Sequence, residues 1–156
     1  MVEGYKCFDK GLINRYGEKF EIGKTYHILD VVKFGSKGFH FCKHLEDTLR
    51  YFDAIKKEVD ICLVQGWGCI DEYEDEYNGF YNMYSTEYLK LSKMLTREEI
   101  LKYALDLPPY RLSRFISLFK LSEEEIQMIY DKDTDNSHVK KMILYYQYGN
   151  KNAFDN

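Results

Sequence analysis

Polar and apolar side chains alternate along much of the first 95 residues, and an alternation of period two predicts β-strands. The stretch GFHFC at 38–42 follows this pattern, because Phe39 and Phe41 would lie on one strand face and His40 and Cys42 on the other. The segments that we expect to form strands, in part as hairpins or meanders, are 4–9, 11–28, 30–34, 37–42, 58–70 and 84–95.

One segment in this part of the chain has the period of a helix instead. Leu45, Leu49, Phe52 and Ile55 recur at intervals of four and three residues, so we predict an amphipathic helix that includes all four. The segment DEYEDEYNGF at 71–80 has neither period, and its five acidic residues predict an exposed loop.

From Thr96 onwards the pattern is helical. The motifs TREE and SEEE are capping boxes, which predict helix starts next to Thr96 and Ser122. Pro109 suits the first position of another helix, and Gly149 can end the last one. The four helices that we predict cover about 97–106, 109–119, 123–131 and 137–148.

Together these elements predict an α+β protein. We expect a small mixed or antiparallel sheet with one main helix over 1–95, followed by a helical subdomain over 96–156 that packs on or beside it. No linker rich in Ser or Gly separates the two parts, and the chain has no internal repeat.

The composition is typical of a folded domain, and the net charge disfavours a nucleic-acid partner. Of the 156 residues, 45% are hydrophobic and 17% aromatic, which is sufficient for a packed core and argues against disorder. The net charge of −4 is not the excess of Lys and Arg that nonspecific nucleic-acid binding requires. We therefore do not expect a nucleic-acid partner, although Arg111, Arg114 and Lys120 form a small basic group.

The four cysteines and the N-terminus bear on the compartment. Cys7, Cys42, Cys62 and Cys69 form no C-x-x-C pair, and the chain starts without a signal-peptide pattern. No apolar run reaches the roughly 20 residues of a membrane span. We expect a cytoplasmic protein with reduced thiols and no membrane partner.

The stretch SKGFHFCKH at 36–44 raises the question of a metal or catalytic site. His40, Cys42 and His44 stand at alternate positions, and imidazole and thiolate are good zinc ligands. Residues two apart on a flat strand are about 7 Å apart, which is too far for a compact tetrahedral site, so we predict no metal. A nucleophilic Cys42 would need a low thiol pKa and a nearby base, and no local motif identifies one.

Three short motifs together resemble an uncharacterised family found in phages and bacteria. They are G-Y-K-x-F at 4–8, F-x-I-G-K-x-Y at 20–26 and G-F-H-F-C at 38–42, and the resemblance covers about residues 4–95. Since that family has no known function, the resemblance implies a phage or mobile-element origin and no particular chemistry.

The segment KGFHFCKHLEDTLRYF at 37–52 also resembles the middle motif of ADP-ribosyltransferases, in which a strand with Gly and aromatic residues runs into a helix. This resemblance implies NAD as a cofactor, with His40 in place of the ring that stacks on nicotinamide. Lys6 would stand where such enzymes present a cation to NAD. Glu87 would be the acid that stabilises the oxocarbenium ion, so the protein would be a transferase or a degenerate relative of one.

The aromatic residues in and beside the acidic segment favour a different class of function, a protein-interaction module with no enzymatic activity and no cofactor. Tyr73, Tyr77, Phe80 and Tyr81 would be contact residues, because exposed aromatic side chains anchor interfaces. Another protein, for example one of a host defence, is then the expected partner. The apolar face of the segment 117–130 could also pack against a second copy, which leaves a homo-oligomer open.

Overall fold

The computed structural model of the chain describes residues 1–29, 37–74, 82–132 and 136–155. As predicted, the fold is α+β, with an antiparallel sheet of five strands and with most helices in the C-terminal part. The chain clusters into two compact units. The sheet unit comprises Met1–Phe52 and Glu58–Leu95, and the helical unit comprises Asp53–Lys57 and Thr96–Asn156.

The strands of the sheet unit are connected in a closed circuit. They are β1 (Val2–Asp9), β2 (Thr25–His27), β3 (Phe39–Cys42), β4 (Val59–Glu74) and β5 (Asn82–Met94). β4 pairs with β1 and with β5, and β5 also pairs with β2 and β3. One residue pair, Tyr5 with Cys42, joins β3 to β1 and completes the circuit of β1, β4, β5 and β3.

The core of the sheet unit draws side chains from all four strands of this circuit. Phe8 and Leu89 are fully buried, and Phe41 lies 5.4 Å from Tyr84 between ring centroids. The other buried members are Phe20, Cys62, Val64 and Leu91. Gly4 allows β1 and β3 to approach closely, because a Cβ there would overlap the carbonyl oxygen of Cys42.

The predicted helix over 45–55 is shorter than expected. α1 (Leu45–Thr48) continues as a 3₁₀ turn over Leu49–Tyr51, and Phe52 then adopts an extended conformation. The prediction of a helix through Ile55 was therefore wrong. The physical reason is that the segment Asp53–Lys57 belongs to the helical unit, where the carbonyl of Ala54 accepts a hydrogen bond from Lys120.

One strand prediction and one loop prediction also need correction. The segment 11–28 was expected to form a hairpin or meander, but it contains one strand, β2. Ile13 and Ile22 form isolated β-bridges outside it. The residues 71–74 are not a loop but the end of β4, because β5 supplies hydrogen-bonding partners while the side chains of Glu72 and Glu74 stay exposed. The expected strand at 30–34 and the rest of the acidic segment lie outside the described residues.

The helical unit follows the sequence pattern more closely. It contains α2 (Arg97–Leu105), α3 (Pro109–Leu118), α4 (Glu123–Lys132) and α5 (Ser137–Met142), and α5 continues as a π-helical turn over Ile143–Gln147. The capping boxes are confirmed: the hydroxyl oxygens of Thr96 and Ser122 each accept a hydrogen bond, from the backbone N–H of Glu99 and Glu125. Within the parts of the chain that the structure describes, no helix is long and apolar enough to cross a membrane.

A buried glutamine connects the helices of this unit. The side-chain oxygen of Gln147 accepts a hydrogen bond from the N–H of Leu121 at 2.8 Å. Its amide nitrogen donates to the carbonyls of Ile116 and Phe119 at 2.7 and 2.8 Å. One side chain therefore satisfies backbone groups at the end of α3, where the helix itself supplies no partner.

Candidate functional site

The strongest candidate site lies in the sheet unit, where β1 and β3 separate. The N–H of Cys7 donates to the hydroxyl of Thr48 at 2.9 Å, and the carbonyl of His40 accepts from the Nζ of Lys6 at 2.6 Å. Side chains thus take the place of the backbone ladder at this point. The two strands diverge and leave a space between them.

This space, the β1–β3 cleft, has a volume of about 260 Å³. Its walls combine basic, thiol, polar and aromatic side chains, and all of them belong to the sheet unit. The lining residues are Lys6, Cys7, Asn14, Arg15, Tyr16, His40, Phe41, Cys42, Thr48, Tyr51, Phe52 and Met83.

Lys6 is a partly buried amine in the wall of the β1–β3 cleft. Burial lowers the pKa of this amine from 10.5 to about 8, although the nearby thiols of Cys42 and Cys7 act in the opposite direction. Its Nζ lies 5.6 Å from the ring centroid of Phe8. No carboxylate among the described residues pairs with Lys6, whose one hydrogen-bond acceptor there is the carbonyl of His40.

Arg15 brings a second cation to the same cleft. Its guanidinium carbon lies 5.4 Å from the ring centroid of Tyr16 and 5.5 Å from that of Tyr51, so two rings hold it by cation–π contacts. Within the described ranges, no carboxylate forms an ion pair with Arg15. The β1–β3 cleft therefore concentrates positive charge that no ion pair among the described residues neutralises.

His40 contributes a neutral imidazole to the cleft at neutral pH. Burial lowers the pKa of this imidazole, and the charges of Lys6 and Arg15 lower it further, against the effect of a hydrogen bond to the Gly38 backbone. The structure thus brings together two of the three residues that the ADP-ribosyltransferase resemblance selected, Lys6 and His40.

The third of those residues, Glu87, does not line the β1–β3 cleft. One of its carboxylate oxygens lies 2.8 Å from Nε2 of His27, and the other accepts a hydrogen bond from the N–H of Cys69 at 3.1 Å. These contacts, the His27 hydrogen bond first, lower the pKa of the Glu87 carboxyl. We call Glu87, His27 and Cys69 the Glu87 cluster.

A bulge in β4 shapes the Glu87 cluster. Gly68 has a φ of 82°, in the left-handed region, and the pairing of β4 with β5 shifts by one residue between Trp67 and Ile70. Beside the bulge, the rings of His27 and Trp67 stack on either side of Tyr88, with centroid distances of 4.1 and 5.5 Å. The cluster is thus held by strand pairing and ring stacking.

The residues predicted to contact a partner are only partly described. Tyr73 is 41% exposed near the end of β4. Tyr77, Phe80 and Tyr81 lie outside the described residues, so their role stays a prediction.

The three His and Cys side chains of the stretch 36–44 do not all lie at one site. His40 and Cys42 line the cleft, whereas His44 is the residue that precedes α1. In the described ranges, no three His, Cys, Asp or Glu side chains are arranged to hold a metal ion. None of the four cysteines, all of which lie in the described ranges, forms a disulfide, and Cys69 is the exposed one.

The small basic group of Arg111, Arg114 and Lys120 lies in the helical unit. Lys120 donates from Nζ to the carbonyl of Gln147 at 2.6 Å, and Arg111 lies over the ring of Tyr110 at 5.9 Å. Two of the three residues of the group, Lys120 and Arg111, therefore have contacts within the helical unit.

The sequence analysis missed Arg15 and the aromatic residues beside it. The sequence contains one signal for this turn, the motif NRYG at 14–17, because asparagine often begins a turn. In the structure, the side-chain oxygen of Asn14 accepts hydrogen bonds from the N–H groups of Tyr16 and Glu18. The motif predicts this turn, but it does not predict that the turn presents Arg15 to the β1–β3 cleft.

The fold and the site thus define a small α+β domain with a cationic cleft in its sheet unit. Over residues 2–102, the chain matches the model of a family described as a domain of unknown function (DUF7666). The match covers more than half of the chain, so the chain belongs to this family, and the expected membership in an uncharacterised family is confirmed. No curated protein and no solved structure matches the chain.

Proposed function

We propose that the sheet unit binds a small anionic molecule in the β1–β3 cleft. The observation that carries the proposal is the pair of cations, Lys6 and Arg15, with which no carboxylate of the described residues is paired. Lys6 is partly buried, and a charge that is partly removed from water is stabilised when it gains a partner of opposite sign. A bound anion would be that partner, and the exposed guanidinium of Arg15 would give it a second cationic contact.

The aromatic side chains at the cleft narrow the class of ligand. Tyr16 and Tyr51 hold Arg15 between them and offer ring surface next to its charge. A ligand with an anionic group and a flat ring would use both features. NAD is the specific candidate, because its phosphates suit the two cations and the ADP-ribosyltransferase resemblance assigns His40 to the nicotinamide ring.

The size of the cleft limits how much of such a ligand it would hold. Ligand pockets usually have volumes of about 300–1,000 Å³. At about 260 Å³ the β1–β3 cleft is small, so we expect it to hold part of a dinucleotide or a smaller molecule.

The test is the melting temperature of the whole protein with millimolar NAD or with inorganic pyrophosphate, an anion without a ring. A ligand at about 100 times its dissociation constant stabilises a protein by roughly 2.7 kcal/mol, which shifts the melt by several degrees. We expect both compounds to raise the melting temperature of the wild type. The shift with NAD should be smaller in a His40→Ala variant. Lys6→Met and Arg15→Met should lose both shifts.

The matched control is Lys10→Met, because Lys10 is an exposed lysine paired with Glu58 and lies outside the cleft. This variant should retain the full shift with both compounds. If neither NAD nor pyrophosphate shifts the wild type, the anion-binding proposal is overturned.

Transfer of ADP-ribose would be a further step that binding does not require. It would need Glu87 to reach the ligand from the Glu87 cluster. The corresponding measurement is modification of proteins in a bacterial lysate by labelled NAD. Turnover by the wild type that is lost in Glu87→Gln would support the step, and a lysate that stays unlabelled would contradict it.

A protein-interaction role is a second candidate, and the exposure of Tyr73 near the end of β4 favours it. The phage or mobile-element origin and a target in host defence belong to this candidate. We expect a partner that the wild type retains from a bacterial lysate to be lost by a variant with Tyr73→Ala, Tyr77→Ala and Phe80→Ala. A partner retained equally by both proteins would remove the role of these residues.

A further inference from the structure

The amine of Lys6 has the surroundings of a nucleophile. It is partly buried and lies near the second cation, Arg15, and both the burial and the charge of Arg15 disfavour the ammonium form. Its hydrogen bond to the His40 carbonyl fixes the position of Nζ in the cleft wall. A neutral amine can donate one N–H to that carbonyl and still present its lone pair to a ligand.

We propose that Lys6 forms a reversible imine with a small carbonyl compound that carries an anionic group, such as an aldehyde phosphate or a 2-oxo acid. The proposal rests on the anion-binding function of the β1–β3 cleft and names the class of ligand. Arg15 would hold the anionic group, and Lys6 would react with the carbonyl carbon.

The reaction needs no oxidant, reductant or metal. The lone pair of the Lys6 nitrogen attacks the carbonyl carbon, and the nitrogen loses a proton as the carbonyl oxygen gains one. The resulting carbinolamine then expels its hydroxyl group with a second proton as water, and the C=N bond forms. His40, a neutral imidazole in the same cleft, would carry the first proton from the nitrogen to the carbonyl oxygen and then the second proton from the nitrogen to the leaving hydroxyl.

The ionisation of Lys6 supports this chemistry. With a pKa of about 8, roughly a quarter of the Lys6 side chains are neutral at about pH 7.5. An ordinary lysine with a pKa of 10.5 is neutral only about once in a thousand at that pH. The reactive form of Lys6 is therefore about two orders of magnitude more abundant than that of an exposed lysine.

The test uses two probes that differ in one group. Pyridoxal 5′-phosphate and pyridoxal share the aldehyde and the ring, and only the first carries a phosphate. The protein is incubated with each probe, any imine is reduced to a stable amine with cyanoborohydride, and the modified lysines are identified by peptide mass spectrometry. Labelling of Lys6 is compared with labelling of the exposed Lys10 in the same sample.

We expect pyridoxal 5′-phosphate to label Lys6 at least about tenfold more than Lys10, because the neutral amine is far more abundant at Lys6. Pyridoxal should label Lys6 less than its phosphate does, and Arg15→Met should remove this difference. Lys6→Arg keeps the positive charge but cannot form an imine, so it should retain the melting shift with pyrophosphate and lose the adduct. Pyrophosphate should also reduce the labelling of Lys6 in the wild type, which tests without a variant whether an anion binds beside Lys6.

The outcomes separate this proposal from the one on which it rests. If pyrophosphate shifts the melt but Lys6 is labelled no more than Lys10, the imine proposal is overturned and anion binding stands. If both probes label Lys6 equally and pyrophosphate neither protects it nor shifts the melt, anion binding is overturned while the nucleophile stands.

Discussion

At the scale of single residues, surroundings rather than residue type decide the chemistry of Lys6. In the sequence, Lys6 is one cation in a strand and has no motif of its own. In the fold, the separation of β1 from β3 gives it a backbone carbonyl as acceptor and Arg15 as a charged neighbour. Burial, and then the charges of Lys6 and Arg15, lower the pKa of the His40 imidazole in the same cleft.

A first prediction follows from the pKa of Lys6, which is about 8 in the folded protein and 10.5 when unperturbed. Between these values the unfolded chain binds more protons than the folded one, so the contribution of Lys6 to stability rises with pH. From about pH 7 to 9.5 the gain should be about 2 kcal/mol. Urea unfolding of wild type and Lys6→Met over this range should therefore give curves whose difference changes by that amount.

The control for this prediction is Lys10→Met. Glu58 raises the pKa of Lys10, by a hydrogen bond first, so this exposed lysine should not produce a rise in stability with pH. Parallel pH curves for wild type and Lys6→Met would contradict the low pKa of Lys6.

At the scale of elements, helix starts could be predicted and strand irregularities could not. The capping boxes at Thr96 and Ser122 are complete within four residues each, so the local sequence is sufficient to predict them. The bulge at Gly68 could not be predicted locally, because it depends on contacts with Glu87 on the opposite strand, β5. The shortened helix after Leu45 likewise depends on where the segment 53–57 packs.

Replacement of Gly68 by Ala tests the bulge. The residue would have to adopt a φ of 82°, and its Cβ would lie 2.8 Å from the carboxylate of Glu87. Gly23→Ala is the matched control, since Gly23 has a φ of 84° and nothing within 4 Å of the added Cβ. We expect Gly23→Ala to cost about 1–2 kcal/mol and Gly68→Ala about 2–4 kcal/mol, measured by urea unfolding. Equal losses would mean that the side chains of Glu87 and Tyr88, each 2.8 Å from the added Cβ, move aside freely.

Replacement of Gln147 by Leu tests the connection within the helical unit. It would leave the N–H of Leu121 and the carbonyls of Ile116 and Phe119 without their side-chain partner. We expect a loss of about 3 kcal/mol in the free energy of unfolding, because unsatisfied buried groups each cost about 1–3 kcal/mol. Gln127→Leu, at an exposed position of α4, should change stability by less than about 0.5 kcal/mol. A similar small change in Gln147→Leu would contradict the role of Gln147.

At the scale of the whole molecule, averages conceal local chemistry. The net charge of −4 describes an acidic protein, yet the β1–β3 cleft carries two cations that no described carboxylate neutralises. The number of cysteines likewise does not show which thiols are exposed. Four cysteines in the sequence become three buried thiols and one exposed thiol, Cys69.

Thiol accessibility gives a prediction for the whole chain. The native protein should react rapidly with Ellman's reagent at one thiol, Cys69, and at four after denaturation, because buried thiols are protected from the reagent. Cys69→Ser should show no rapid reaction in the native state and three thiols once unfolded. A second rapidly reacting thiol in the native wild type would show that Cys7, Cys42 or Cys62 is accessible through the sheet unit.

The sequence by itself determined the fold class, most of the strands and the four C-terminal helices of this protein. Periodicity and capping residues act over a few neighbouring positions, so they can be read along the chain. The tertiary structure alone decided the β1–β3 cleft. Lys6, Arg15 and His40 are separated by up to 34 residues, and they meet because the strand pairing between β1 and β3 stops after one residue pair. It also decided that Glu87 lies with His27 and Cys69, since only the pairing of β5 with β2 and β4 brings these residues together.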